Sequence, residues 1–247
     1  MLKVDHVDKS YNNNGFFKSS SRKILEDVSF ECSQGECLGI IGESGSGKST
    51  LGRLLIGIER PERGSIMING ESIFKRKNRK SKISVVFQDY RSSINPFFTV
   101  EDAILEPLRA INIEENLAVI IDKLLIQVGL SPSYKHKYPH ELSGGEAQRV
   151  CIARAISTEP SYILFDEAIS SLDVSIQLQI LDLLKELKNS YKMGYIFITH
   201  DIQAATYICD RLLIFKDGRV QETIPTKDLH LVESPYAKKL LKNLILF

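Results

Sequence analysis

No stretch of this sequence approaches the roughly 18 consecutive apolar residues that a membrane-crossing helix requires. Met1 opens directly into Leu2-Lys3-Val4-Asp5-His6-Val7, without a charged-then-apolar leader. The expectation is a cytosolic protein whose contact with any membrane comes through partners. Cysteine is scarce: four residues, at 32, 37, 151 and 209, show neither C-x-x-C spacing nor a disulfide framework. They read as small core side chains of a reduced compartment. Net charge is nearly absent as well, and a formal +1 gives no global basic field for nucleic acid and no acidic tail for disorder. The locally basic run Lys75-Arg76-Lys77-Asn78-Arg79-Lys80 has no interleaved aromatic residues, so it reads as a solvated loop rather than a nucleic-acid patch. What remains is ordinary for a folded protein: 43% hydrophobic and 26% charged residues over 247 positions suffice for one large domain or two small ones.

The stretch Gly42-Glu43-Ser44-Gly45-Ser46-Gly47-Lys48-Ser49-Thr50 follows the apolar run Cys37-Leu38-Gly39-Ile40-Ile41 and fits G-x-x-x-x-G-K-[ST] in full. Gly42, Gly45 and Gly47 can take backbone angles closed to other residues, so successive N–H groups can turn inward around a polyphosphate. Lys48 adds a point charge on the β and γ phosphates, the Ser49 hydroxyl can ligate Mg²⁺, and the helix from Thr50 onward aims its positive end at the anion. The spacing therefore predicts nucleoside triphosphate binding. A glycine-rich turn before a helix is the plainer alternative, and the strand–loop–helix order argues against it.

Leu2, Val4 and His6 alternate with Lys3, Asp5 and Val7 as in an edge strand, and Tyr11 follows as a candidate to stack on a nucleotide base. Asn12-Asn13-Asn14-Gly15-Phe16-Phe17-Lys18-Ser19-Ser20-Ser21 reads as a long turn, and Ile24 to Glu31 resumes the alternation. After the loop, Leu51, Leu54, Leu55 and Ile58 recur at helical spacing, and Pro61 and Gly64 stop that helix. Ser65 to Gly70 reads as a strand ending in an Asn-Gly turn. Ile83 to Phe87 is another strand and ends at Gln88, where an α/β sheet places a ligand crevice. Residues from Thr99 to Leu130 are helical in period, with Pro107 and Gly129 as breaks and no strand among them.

Glu141-Leu142-Ser143-Gly144-Gly145-Glu146 begins a long helix, and Ser143 with two glycines at a helix start makes either a cap or a second anion-binding terminus. Ser161-Tyr162-Ile163-Leu164-Phe165-Asp166-Glu167 reads as a buried parallel strand that presents carboxylates at its end. Asp166 suits Mg²⁺, and Glu167 is placed to orient and polarise an attacking water. Ser171-Leu172-Asp173 opens a helix through Leu187. Tyr195 to Thr199 is a further buried strand ending at His200, which can donate to a γ phosphate or serve structure alone. Leu212 to Phe215 and Arg219 to Glu222 form a hairpin about Asp217-Gly218, and Tyr236 to Leu246 is a short amphipathic tail.

Taken in order, the phosphate loop, strand-end glutamine, Leu-Ser-Gly-Gly-Glu, apolar-Asp-Glu, Ser-Leu-Asp and strand-end histidine resemble the nucleotide-binding subunit of ABC transporters, over essentially the whole chain. The segment Leu142 to Glu146 is the specific element, with Glu146 where the family usually has Gln. The resemblance implies an α/β fold: a P-loop NTPase (RecA-like) core with an N-terminal antiparallel β subdomain and an inserted α-helical subdomain. By residue number this is one domain over 1–247, with core and β subdomain in 1–88 and 159–223, helices and signature in 89–158, and a tail in 224–247. It implies head-to-tail pairing, each ATP held between the phosphate loop of one cassette and the Ser143, Gly144 and Gly145 signature of the other. By the same resemblance Tyr11 stacks on adenine, Gln88 senses Mg²⁺ and the attacking water, Glu167 is the catalytic base, Asp173 joins the two sites and His200 holds the γ phosphate. The implied cofactors are ATP and Mg²⁺.

Phe87-Gln88-Asp89 with Ser92-Ser93-Ile94-Asn95-Pro96, Tyr138 to Gly145, Asp166 to Gln177, the Gly15-Phe16-Phe17 turn and Ser234 to Leu241, which opens Ser-Pro-Tyr-Ala, are similar to the peptide and nickel importer subfamily. That likeness implies two membrane permease subunits, a second related ATP-binding subunit, an extracellular solute-binding protein and a place on the cytoplasmic face of the membrane, with no nucleic-acid partner. The absence of a cysteine-bearing extension leans towards nickel or chelated-metal import over oligopeptides. A soluble ABC ATPase of DNA repair would carry a coiled coil between Lys48 and Asp166, but no sustained heptads occur there. A ribosome-acting member would carry two cassettes, and a nucleotide switch without hydrolysis conflicts with Glu167 and His200.

Overall fold

The computed structural model describes residues 1–15, 18–75, 82–113 and 116–242. The chain forms two compact units, Met1–Arg79 with Gly194–Phe247, and Lys80–Met193. In the first, the chain runs β1 (Leu2–Gly15), β2 (Lys18–Cys32), β3 (Cys37–Ile41), α1 (Lys48–Leu55), β4 (Arg63–Ile68) and β5 (Glu71–Ser72). An antiparallel sheet has the order β2-β1-β4-β5, so β1 is an inner strand and not the edge that its alternation suggests. The reason is a bulge: His6 takes φ 49, the register shifts between Val4 and Val7, and Leu2, Val4 and Val7 are all buried while His6 is not. The polar Asn12–Ser21 segment is no long turn either. Backbone pairing runs on from Asn12↔Ser21 to Gly15↔Lys18, and Phe16 and Phe17 lie outside the described residues.

The apolar run before the phosphate loop forms β3, buried along its whole length. Leu51, Leu54 and Leu55 of α1 are fully buried, each stabilising the unit by about 1.5–3 kcal/mol. The helix ends sooner than expected. Gly57 with φ 72 follows its last turn, and Ile58 lies 64% exposed, beyond the buried stripe. Asn69 and Gly70 make the expected tight turn, both at positive φ, between β4 and β5. Residues 76–80 of the basic run lie outside the described residues.

The second unit runs β6 (Ile83–Phe87), α2 (Tyr90–Ser93), α3 (Val100–Ala110), α4 (Leu117–Gln127), α5 (Gly144–Ile156), β7 (Tyr162–Asp166) and α6 (Val174–Tyr191). No strand occurs between β6 and β7 among the described residues, as the helical period implies. Thr99 caps α3 through a reciprocal pair with Asp102. Pro107 sits inside α3 rather than breaking it. An interior proline costs about 3 kcal/mol, which burial of Ala103, Ile104, Leu105 and Leu108 offsets. Gly129, at φ 73, does end α4. β6 and β7 pair in parallel from Ile83↔Tyr162 to Phe87↔Asp166.

The chain then returns to the first unit with β8 (Gly194–Thr199), α7 (Ile202–Ile208), β9 (Arg211–Lys216), β10 (Arg219–Pro225) and α8 (Pro235–Lys242). β3 lies between β8 and β9, parallel to both, and β10 returns antiparallel on β9 through Asp217 and Gly218, both at positive φ. β3 and β8 are buried along their whole length, and their unbroken apolar runs fit a parallel sheet whose two faces are covered by crossover helices. The four cysteines are buried and none is in a disulfide, Cys37 Sγ lying 3.4 Å from Cys209 Sγ. Tail residues 243–246 lie outside the described residues.

Candidate functional site

In the first unit, residues 42–50 link the carboxyl end of β3 to the start of α1, whose N-cap is Gly47 in the left-handed region at φ 107. The Lys48 ammonium is buried and donates to the carbonyls of Gly42 at 2.7 Å and Glu43 at 2.9 Å, so the loop is curled around its own lysine. The Ser46 hydroxyl is buried and has no hydrogen-bond partner among the described residues. A buried orphan hydroxyl is costly unless a ligand or water satisfies it, which fits a loop shaped for an anion. Ile41 pairs with Thr199 in the parallel register, so Gly42 and His200 leave adjacent strand ends abreast. His200 thus follows the strand beside the one that ends in the phosphate loop.

Tyr11 lies in the same unit, and its surroundings were not readable in advance. Its hydroxyl donates to both carboxylate oxygens of Glu59 at 2.7 Å and accepts from Arg53 Nη2 at 3.0 Å. Arg53 also reaches Glu59 through Nε at 2.7 Å and Thr50 Oγ1 at 3.2 Å, while Lys9 Nζ lies 3.2 Å from Glu59 and 5.4 Å from the Tyr11 ring centroid. Burial pushes the Glu59 carboxyl up, but hydrogen bonds from Tyr11, Arg53 and Lys9 outweigh it and hold the pKa below its usual range. Tyr11 is therefore tied to the phosphate-loop helix, and only a contact between residues far apart in sequence could have revealed it.

In the second unit, the Phe87↔Asp166 pairing sets Gln88 and Glu167 side by side at the ends of β6 and β7. Glu167 takes φ 50, a left-handed conformation that costs about 1–3 kcal/mol for a residue with a side chain. Its carbonyl accepts from the Ser170 N–H at 3.1 Å and the Ser170 hydroxyl at 2.9 Å, which fixes the turn. A non-glycine residue held in such a conformation at a strand end is a frequent mark of a functional position. Ser49, Gln88 and Asp166 offer hydroxyl, amide and carboxylate oxygens, the hard donors that Mg²⁺ prefers. A cleft of about 610 Å³ opens beside β6, walled by Val86, Phe87, Asp89, Ser93, Cys151 and Arg154.

Ser143 is the N-cap of α5, and it forms a capping box with Glu146: the Ser143 N–H donates to the Glu146 carboxylate at 2.8 Å and its hydroxyl accepts from the Glu146 N–H at 3.4 Å. The Ser-x-x-Glu spacing carries this signal openly. Cap and anion site are thus not alternatives, since the box takes up the N–H groups of Ser143 and Glu146 and leaves those of Gly144 and Gly145 outside it. Gly145 also lets α5 lie close to α6, because a Cβ there would meet Ile176 Cγ2 at 2.9 Å. Asp173 precedes α6 without capping it by its side chain. Gln148 is fully buried with neither amide atom hydrogen-bonded among the described residues.

Tyr134 was likewise missing from the expected site. Its hydroxyl donates to Glu146, and with the Ser143 donors and Lys137 it holds the Glu146 carboxyl down at about 2. Because the folded-state pKa is lowered, the charge stabilises the fold above the ordinary carboxylate value of about 4.3, and that contribution is lost as pH falls towards 2. Glu146→Gln is therefore expected to melt below wild type at pH 7, with a gap that narrows as the pH is lowered from about 5 towards about 2. Thermal unfolding across that range checks it, and a constant gap would show that the charge plays no part.

A complete phosphate loop at the end of a parallel strand, with acidic residues closing another, defines a P-loop NTPase of the α/β (RecA-like) class. The ABC transporter family profile matches residues 25–170, and the chain belongs to that family as a transporter ATPase. It is 51% identical to the metal-staphylopine import system ATP-binding protein CntF of Staphylococcus aureus, over the whole of both chains. It is 41% identical to the oligopeptide transport ATP-binding protein OppF of Bacillus subtilis, over 89% of this chain and 75% of that one. Among solved structures, the dimeric post-hydrolysis state of the ATP-binding cassette MJ0796 with ADP and Pi matches at a TM-score of 0.80 and 29% identity, covering 92% of this chain and 99% of that one.

Proposed function

We propose that this chain hydrolyses ATP to drive import of a transition metal bound to a small organic chelator. The observation that carries the choice of cargo is the 51% identity, end to end, with a metal-staphylopine importer subunit, against 41% with an oligopeptide one. ATP lies on the phosphate loop, with Lys48 and the N–H groups of residues 42–50 on its phosphates, His200 on the γ phosphate and the Tyr11 ring on adenine. Ser49, Gln88 and Asp166 would hold Mg²⁺, which when bound neutralises charge on the β and γ phosphates. Water attacks the γ phosphorus, the bond to the bridging oxygen of ADP breaks, and Glu167 takes the proton the water loses. Ser143, Gly144 and Gly145 reach the nucleotide of a second, related cassette, and Asp173 joins the two sites.

In this scheme residues 89–158 act as a helical subdomain on a core of 1–88 and 159–223, with 224–247 as a tail. Two integral membrane permease subunits bear on the cleft beside Phe87, Asp89 and Arg154, a solute-binding protein delivers cargo outside, and the chain sits peripherally on the cytoplasmic face. The match to an import-system ATP-binding protein supports a peripheral place, and among the described residues no helix is long and apolar enough to cross a membrane. A strain deleted for the chain should lose growth on trace nickel, cobalt or zinc presented with a chelator, and should regain it with wild type but not with Glu167→Gln. The 41% oligopeptide relative favours peptide cargo as the second reading. Loss of growth on peptides as the sole source of a required amino acid, with metal uptake intact, would establish that reading and remove the first.

A further inference from the structure

The phosphate loop is gripped from outside by Tyr236, which the terminal Ser-Pro-Tyr-Ala match contains but gives no role. α8 is firmly seated: Ser234 Oγ accepts from the Ala237 N–H at 2.9 Å, the Glu222 carboxylate accepts from the N–H groups of Glu233 and Ser234 at 3.0 Å each, and Ala237 and Leu241 are buried. From that seat Tyr236 extends to the loop, where its hydroxyl accepts from the Glu43 N–H at 3.1 Å. Lys216 Nζ, 4.8 Å from the ring centroid, holds the ring from the β9 side.

The Glu43 N–H and the Gly42 carbonyl belong to one peptide, and in a planar trans peptide they point in opposite directions. The Gly42 carbonyl accepts the Lys48 ammonium at 2.7 Å. One peptide plane is therefore held at both ends, by the phenol outside and the lysine inside, and cannot rotate without breaking one of the two bonds. We propose that Tyr236 is a positioning residue of the phosphate loop, fixing through the Gly42–Glu43 peptide the carbonyl that anchors Lys48. Burial pushes the phenol pKa up, so the group stays protonated and meets the Glu43 N–H as a neutral acceptor. Without the hydroxyl the peptide is held at one end only, and Lys48 loses part of its preorganisation for phosphate. This inference rests on the reading of the loop as the ATP site.

The test compares wild type, Tyr236→Phe and Ser234→Ala as full chains, measuring Kd for a fluorescent N-methylanthraniloyl ATP with Mg²⁺, Tm, and KM and kcat in the assembled transporter. Tyr236→Phe keeps the ring and its contact with Lys216 but removes the acceptor. It should raise Kd and KM roughly three- to tenfold, the loss of about one hydrogen bond, with kcat and Tm little changed. Ser234→Ala uncaps α8 without touching the loop, and should lower Tm while leaving Kd at the wild-type value. A Tyr236→Phe variant with wild-type Kd overturns the proposal, as does one that accumulates no folded protein, since the hydroxyl then serves the fold. A rise in Kd as large for Ser234→Ala also overturns it, because seating of the helix and not the hydroxyl would then be at work. Wild type that binds no nucleotide overturns the ATP-site reading itself, whereas binding with an unaltered variant overturns only the role of Tyr236.

Discussion

Glu167→Gln is expected to lower ATP turnover in the assembled transporter by about 10²–10⁴-fold, the range supplied by a general base, while nucleotide affinity stays within about twofold of wild type. The amide keeps the length and shape of the carboxylate but accepts no proton from water. The substitution leaves the two Ser170 bonds to the Glu167 carbonyl, which hold the φ of 50 at this position, so the backbone gives no reason for a folding defect. The effect should therefore fall on kcat, with KM unchanged, and a single-turnover assay of phosphate release would place the loss in the chemical step. Hydrolysis by Glu167→Gln at a rate near wild type would remove this residue from the mechanism and leave water activation to another group.

Gly42→Ala should be more destructive, for a reason confined to packing. A Cβ at this position would stand 2.0 Å from the carbonyl oxygen of Phe215 and 3.1 Å from its carbon. Both atoms are backbone of a strand with neighbours on either side, so no rotamer change relieves the clash and the loop itself has to move. Moving it displaces the carbonyl that holds Lys48 and the hydroxyl of Ser46 together. Nucleotide binding should weaken at least about 100-fold, and the forced fit should cost about 1–3 kcal/mol of stability, lowering Tm by several degrees in a chain of this size. Calorimetric titration with ATP and a thermal melt check both parts. Binding within tenfold of wild type would show that β9 yields where the packing says it cannot.

The motifs that carry chemistry were legible because they sit where continuous apolar runs end. β3, β7 and β8 each appear in the sequence as an unbroken hydrophobic stretch, and the polar group after each stretch must emerge at a strand end, hence residues 42–50, Asp166 with Glu167, and His200. Positions controlled by partners distant in sequence were not legible. Strand β1 alternates like an edge, but the bulge at His6 shifts its register and β4 pairs with its second side. Pro107 reads as a break until the burial around it is known, and Ile58 continues a helical period that Gly57 has already ended. The same holds at the site. Glu59 and Arg53 around Tyr11, Tyr134 on Glu146 and Tyr236 on Glu43 carry no local pattern, whereas the capping box at Ser143 was written in its own spacing.

The loop's dependence on β9 also sets an order in time. Ser46 accepts the Gly218 N–H through its carbonyl at 2.9 Å, and Gly42 rests against Phe215. In a nascent chain the glycine-rich loop is made first, and the strand that shapes one wall of it follows only after residues 51–210 have been added. Until Gly218 has left the exit tunnel the loop lacks its final shape, so competence for nucleotide arrives only after α5 has already been made.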